Sequence, residues 1–281
     1  MPILEIKNIK YKYDKYDDSS KYALDGVSFN IDEKDFIALI GESGSGKSTL
    51  ISHLNGLYKA DSGDILFRGK SIYAKDFNIT ELRFHCGIVF QYPEYQLFSE
   101  TVIEDVAFGA IKKGLSKEEA YAKSLEILKM LNIEHLKDET PFNLSGGEKR
   151  KVAFAGVFVM QPDIMIFDEP DAGLDPTSKE SFYEMVKMLN VKFGTTIIYI
   201  THNLDDVIEY ANKVIVLNEG KVLKFGKAYD ILLDKEVMNK ANLELPYAVE
   251  IYYKLLEKGY NIDKSKLKFD DILEALKKYH D

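Results

Sequence analysis

The chain has 281 residues, 46% of them hydrophobic and 30% charged, with a net charge of −9 and a single cysteine. That length supports one large domain, or one domain with a small appendage, and the composition excludes a disordered chain. The acidic balance argues against a surface that tracks nucleic acid, and a lone Cys86 excludes an intrachain disulfide or a cysteine-based zinc site, which fits a reducing, cytosolic setting.

Met1 to Glu5 lacks a basic segment followed by an apolar stretch, so no signal peptide is expected there. Leu4, Ile6 and Ile9 open a strand pattern and Val27 to Ile31 predicts a second, with the polar stretch Asp14 to Lys21 as the loop between them. Phe36-Ile37-Ala38-Leu39-Ile40 is continuously apolar and ends at a glycine, as a buried strand of a parallel sheet does. Similar runs recur at Gly87 to Phe90, Ile164 to Phe167, Thr196 to Ile200 and Val214 to Leu217, with helical patterns between them, which predicts a βα-alternating core. From about Pro93 to Met160 the pattern is almost wholly helical. Ser116-Lys117-Glu118-Glu119 forms a capping box there, and Tyr121, Leu125, Leu128 and Leu131 supply an apolar face. The longest apolar run, Val152 to Met160, is far short of the roughly 20 residues that span a bilayer. After Gly226 two amphipathic patterns, Val249/Tyr252/Tyr253/Leu256 and Phe269/Ile272/Leu273/Leu276, predict a small helical appendage.

Gly41-Glu42-Ser43-Gly44-Ser45-Gly46-Lys47-Ser48-Thr49 lies directly after a buried strand and before an apparent helix start at Leu50. In this pattern backbone N–H groups close around phosphates, the helix N-terminus adds its positive dipole, Lys47 reaches the terminal phosphates and the Ser48 hydroxyl can ligate Mg²⁺. Asp168 and Glu169 end another apolar strand, at the edge where open α/β sheets place ligands. Asp168 is placed to hold Mg²⁺ through water, and Glu169 to polarise a water that attacks a γ-phosphate. Gln91 and His202 each follow a strand and so fall at the same edge. An amide oxygen can ligate Mg²⁺ or the attacking water, and an imidazole can bond a phosphate oxygen. Leu144-Ser145-Gly146-Gly147-Glu148 has no role in an ordinary phosphate-loop fold; it supplies what a nucleotide needs on its other face when a second molecule closes over it.

The phosphate loop, Gln91, Leu144 to Glu148, Asp168-Glu169, Asp175 and His202 resemble, in order and spacing, the ATP-binding cassette (ABC) ATPases over about residues 3 to 225. The resemblance implies an α/β phosphate-loop NTPase cassette across residues 1–226, with a mainly parallel core sheet, an antiparallel N-terminal β-subdomain and an inserted helical subdomain at about 93–160. Residues 227–281 are then a helical C-terminal extension. It implies ATP and Mg²⁺ as ligands: residues 41–49 and Gln91 on ATP, Ser48, Gln91 and Asp168 on the metal, and Glu169, His202 and Lys47 in catalysis. It also implies a head-to-tail dimer in which Ser145, Gly146, Gly147 and Glu148 act in trans and Asp175 lies in an interface loop. An aromatic residue near the N-terminus stacks on adenine in that family. Tyr13 aligns best, with Tyr16 and Tyr22 as alternatives, and an ordinary strand tyrosine as another reading.

A narrower resemblance follows Phe90. Phe90-Gln91-Tyr92-Pro93-Glu94-Tyr95-Gln96-Leu97-Phe98, with Thr101-Val102 and Asp105 to Gly109, is similar to the ATPases of energy-coupling factor importers, and most similar to the second of their two paralogous ATPase subunits. Leu245-Pro246 and the following helix resemble the C-terminal extension of that subfamily. This implies a paralogous ABC ATPase partner, a transmembrane scaffold, a separate membrane subunit that captures vitamins or metal ions, no nucleic acid, and a peripheral position on the cytoplasmic face of the membrane. Two alternatives stand beside it: a soluble ABC ATPase acting on ribosomes or DNA, which usually carries two cassettes or a long inserted coiled coil, and a nucleotide-binding regulator without turnover. Two positions depart from the commonest patterns. Glu148 stands where Gln is frequent, and Asp171, where Thr, Ser or Ala is frequent, is expected to add negative charge beside Asp168, Glu169 and Asp175.

Overall fold

The computed structural model describes residues 2–14 and 20–277. Strands β1 (Pro2–Tyr11) and β2 (Leu24–Asp32) pair antiparallel, and β4 (Ser62–Phe67) and β5 (Lys70–Ser71) extend them into a four-stranded sheet in the order β2-β1-β4-β5. Between these pieces the chain forms β3 (Phe36–Ile40) and helix α1 (Lys47–Leu54). After α2 (Ile79–His85) comes β6 (Cys86–Val89), and the chain then leaves the sheet for α3 (Val102–Lys112), α4 (Lys117–Met130) and α5 (Gly146–Phe158). It returns through β7 (Ile164–Asp168), α6 (Pro176–Phe193), β8 (Thr196–Ile200), α7 (Leu204–Tyr210), β9 (Lys213–Asn218) and β10 (Lys221–Lys227). The second sheet has six strands in the order β10-β9-β3-β8-β7-β6, parallel throughout except for the β10 edge.

Because successive side chains of a strand point to opposite faces, each buried strand feeds two cores. Ala38, Met165, Phe167, Ile197 and Val216 face the helical insertion, α6 and the C-terminal helices. Leu39, Ile166, Ile198, Ile200 and Ile215 face α1 and the antiparallel sheet. The continuous apolar runs of the sequence are thus explained: β3 and β8 are buried at every position.

The helical insertion forms as the sequence predicts, including the capping box at Ser116. Its buried stripe is turned slightly from the expected one, onto Ala120, Ser124, Ile127 and Leu128, while Tyr121 and Leu125 are only partly buried. Phe154 of α5 stacks on Phe167 of β7 (centroids 6.2 Å apart, planes 12° apart), which ties the insertion to the strand that ends in Asp168. The buried Asp105 carboxylate accepts hydrogen bonds from the N–H groups of Phe98 and Ser99, each 2.8 Å, and so pins the segment after Gln91 to α3.

The C-terminal part holds α8 (Ala228–Leu232), α9 (Lys235–Lys240), α10 (Tyr247–Glu257) and α11 (Phe269–Lys277). The first two are too short for a periodic signal. Val249, Tyr252 and Ile272 are buried as predicted, but Leu256, Phe269 and Leu273 remain exposed because the cassette covers only one side of each helix. Among the described residues, no helix is long and apolar enough to cross a membrane.

Ile198 lies at the centre of the sheet and is fully buried. Ile198→Ala should lower the unfolding free energy by about 2–5 kcal/mol in urea titration; a loss below about 1 kcal/mol would contradict this placement of the core.

Candidate functional site

Four parallel strands run out at one edge in the order β3, β8, β7, β6, with Leu39 and Asp168 both in register with Ile200, and Val89 with Phe167. Their continuations carry the phosphate loop, His202, Glu169 and Gln91, so the sheet itself gathers these residues.

The loop after β3 needs its glycines. Gly41 has φ 149° and a Cβ there would lie 2.1 Å from the Leu217 carbonyl oxygen; Gly46 has φ 104° and a Cβ there would lie 2.4 Å from the Ala23 carbonyl oxygen. Helix α1 begins at Lys47, earlier than the apolar pattern at Leu50 suggests, so the motif lysine and serine are the first residues of the helix. The buried Lys47 ammonium donates to the carbonyls of Gly41 (2.8 Å) and Glu42 (3.0 Å). Burial pulls its pKa down, opposed by the charges of Glu169 and Asp168. The Ser48 Oγ lies 3.5 Å from Asp168 Oδ1. Burial, and then the Glu169 charge, push the Asp168 carboxyl up, against the Ser48 bond and the charges of Lys47 and His202.

Tyr13 is 63% exposed, its hydroxyl 2.8 Å from Thr49 Oγ1 and its ring edge-on to Tyr11 at 5.2 Å. Tyr22 instead lies under the ammonium groups of Lys12 and Lys10, and Tyr16 lies outside the described residues. Glu42 Oε1 accepts a bond from Asn242 Nδ2 at 3.0 Å. The Ser45 hydroxyl is buried without a protein partner, while Ser43 is exposed and Gly44 has open space above it.

Glu169 has φ 47°, a left-handed conformation unusual for a residue other than glycine and of the kind that collects at functional sites. Its Oε1 lies 2.8 Å from His202 Nε2, and its Oε2 accepts a 2.9 Å bond from Gln91 Nε2. One carboxylate is therefore held from two strand ends.

Ser145 is the N-cap of α5 and forms a second capping box: Glu148 Oε2 accepts from the Ser145 N–H (2.9 Å) and hydroxyl (2.6 Å), and Ser145 Oγ accepts from the Glu148 N–H. The Ser145 bonds hold the Glu148 carboxyl below its usual range. The S-x-x-E spacing, the same as at Ser116, is the sequence signal for this box. Gly146 and Gly147 lack positive φ, and a Cβ added at either would meet nothing within 4 Å, so this chain alone does not require glycine at these positions. Among the described residues, no hydrogen bond or ion pair joins residues 145–148 to residues 41–49. Ser145 and Gly147 instead line a cavity of about 530 Å³ with Leu174, Thr177 and Ser178. Asp175 caps α6, its Oδ1 accepting from the N–H groups of Thr177 and Ser178 at 3.1 Å each.

The ABC transporter family model matches residues 24–172. The energy-coupling factor transporter ATP-binding protein EcfA2 of Clostridioides difficile is 42% identical over 97% of this chain and 96% of its own length. The chain belongs to this family of ABC transporter ATP-binding proteins. Among solved structures, cbiO1 of Clostridium perfringens, described as part of the ABC transporter complex cbiONQ, aligns with TM-score 0.74 and 40% identity over 90% of this chain and 99% of its own. The ATP-binding cassette MJ0796, solved as a dimer in a post-hydrolysis state with ADP and Pi, aligns with TM-score 0.69 and 31% identity over 80% and 98%.

Two features of this cassette lie beyond its motifs. Arg150, three residues into α5 past the glycines, donates from Nη1 to the Pro170 carbonyl (2.9 Å) and from Nη2 to that of Ala172 (3.1 Å), holding the loop after Glu169 to the helical insertion. No sequence signal marks it. The charge that Asp171 adds has a partner: its Oδ2 pairs with Lys179 Nζ at 3.0 Å. That cation lies eight residues downstream, brought back by the first turn of α6, and burial together with the Asp171 charge still raises the Asp206 carboxyl.

The environment of α5 separates structural from functional residues. Ser145→Ala should cost about 1 kcal/mol of stability through the lost cap, whereas Gly146→Ala and Gly147→Ala should leave stability unchanged or raise it by up to about 0.5 kcal/mol. Urea titration of the three variants checks this; a loss above about 1 kcal/mol in either glycine variant would contradict it.

Proposed function

We propose that this chain is the ATP-binding and ATP-hydrolysing subunit of an energy-coupling factor importer, peripheral on the cytoplasmic face of the membrane. The observation that carries the reading is the Gln91–Glu169–His202 array, set at the same sheet edge as Lys47 and Ser48. Backbone N–H groups of residues 41–49 and the Lys47 ammonium hold the phosphates, with the dipole of α1 behind them. Tyr13, exposed beside Thr49, is the aromatic surface for adenine.

Ser48 and Asp168 present the hard oxygen donors that suit Mg²⁺, with the amide of Gln91 as a third; the cation, when bound, offsets negative charge on the phosphate oxygens. Glu169 orients the attacking water and accepts its proton, and His202 holds Glu169 from the other side and senses the γ-phosphate.

Gly146 and Gly147 support completion of the site in trans. Glycine in the first turn of a helix is unfavourable, yet nothing in this chain approaches these positions. Their bare N–H groups at the start of α5 suit the γ-phosphate held by another cassette. The dimeric state of the MJ0796 cassette supports the same arrangement, and resemblance to one of two paralogous subunits supports a heterodimer. The exposed aromatics Tyr92, Tyr95 and Phe98, anchored through Asp105, form the surface for the transmembrane scaffold, while a separate membrane subunit captures the vitamin or metal ion. The net charge of −9 and the transporter relatives weigh against a ribosomal or DNA role.

Glu169→Gln should abolish steady-state hydrolysis by the assembled complex while ATP binding persists, as read by phosphate release and nucleotide titration; unchanged turnover would sink the assignment. Tyr92→Ser with Tyr95→Ser should detach the chain from its membrane partner in co-purification and leave ATP affinity within about twofold. Retention of the partner would refute this docking surface.

A further inference from the structure

Behind the Glu169–His202 bond lies a second, separate linkage. Lys179 Nζ sits 3.0 Å from Asp171 Oδ2 and 2.5 Å from Asp206 Oδ2, and all three side chains are sheltered, with relative exposures of 23%, 15% and 14%. Asp171 stands two residues after Glu169. Asp206 stands in the first turn of α7, four residues after His202. One ammonium therefore joins the two segments that carry the hydrolytic pair, while touching neither member of it.

The ground under this linkage is stiff. Tyr183, one turn further along α6, is buried and stacks on Tyr210 of α7 (4.6 Å, 10°) and edge-on against Tyr199 of β8 (5.7 Å, 73°). The Tyr199 hydroxyl donates to the Asp206 carbonyl oxygen at 3.3 Å. Lys179 lies over the Tyr183 ring at 5.9 Å. Burial alone would lower the Lys179 pKa, but its bonds to Asp206 and Asp171 outweigh that and raise it, so the ammonium stays charged. Two sheltered carboxylates with one cation between them hold together only while the cation remains; without it they repel across a poorly solvated gap.

We propose that Lys179 is a positioning residue for hydrolysis, a strut that sets the separation of Glu169 and His202 by clasping Asp171 and Asp206. This rests on the reading of Glu169 as the group that activates water. Loss of the strut lets the loop after Glu169 and the start of α7 move apart, and a misplacement of about 1 Å costs up to roughly a hundredfold in rate. Nucleotide binding, which depends on the separate loop at residues 41–49, is left in place.

The test compares Lys179→Met, Lys179→Arg and the double variant Lys179→Met with Asp171→Asn. In the membrane-assembled complex, Lys179→Met should lower kcat about 10- to 100-fold with KM for ATP within about twofold. Lys179→Arg should recover most of the rate, and the double variant, which removes the repulsion, should recover part of it. In the full-length chain, the His202 imidazole resonance, assigned by its loss in a His202→Asn control, should shift in Lys179→Met and return in Lys179→Arg. An unmoved His202 resonance with undiminished kcat in folded Lys179→Met overturns the proposal, as does an Arg variant no better than the Met variant. Should Lys179→Met fail to fold, Asp171→Asn alone must shift the His202 resonance, and its failure to do so counts against the strut. The resonance tests the strut even where Glu169→Gln retains turnover, so the two readings fail separately.

Discussion

Parallel pairing of β3, β8, β7 and β6 in near-level register is the constraint from which the site follows. A parallel sheet must bury both faces, so its strands are apolar along their whole length and can change character only at their ends. Residues proposed to act on the nucleotide therefore gather where strands finish: the loop from Gly41 follows Ile40, Asp168 ends β7 and Glu169 follows it, Gln91 follows Val89 and Phe90, and His202 follows Ile200 and Thr201. Because the strands finish together, residues 33 and 78 positions apart in the chain meet at Glu169. The 2.9 Å and 2.8 Å bonds of Glu169 to Gln91 and His202 are consequences of that register.

The helical insertion is attached to the same frame at a few defined points. Phe154 stacks on Phe167, Arg150 grips the carbonyls of Pro170 and Ala172, and Asp105 fixes the aromatic segment that follows Gln91. α5 is thus joined to the loop beyond Glu169, and the aromatic segment after Gln91 to α3. These contacts give the proposed coupling of hydrolysis to a membrane scaffold a physical route.

Much of this is legible in the sequence because buried parallel strands and phosphate loops are local patterns. Phe36 to Ile40 and Thr196 to Ile200 are buried throughout, and the residues after them lie at one sheet edge. What escapes is what depends on distant partners. β4, β5 and β10 are recognisable only through pairing with β1, β4 and β9 respectively, and β1 itself is interrupted near Asn8, whose φ of 51° breaks the alternation. Asp171 reads as an added negative charge at the site because its neutralising partner lies on α6 and its fellow carboxylate lies 35 positions away on α7. Glu148 is the opposite case. Its capping box with Ser145 is written within four residues, but the same four residues carry the phosphate-binding pattern, which masks the structural one.

On the proposed function, this chain carries two complementary halves of different ATP sites and another cassette supplies the rest. Native mass spectrometry of the complex purified from its own membranes with the Glu169→Gln chain and ATP tests it directly. The predicted result is a particle containing this chain, a second and non-identical ABC ATPase, at least one membrane protein and ATP retained between the two cassettes. A single cassette that holds ATP with no second ABC chain, at concentrations where the membrane partner remains bound, would contradict it.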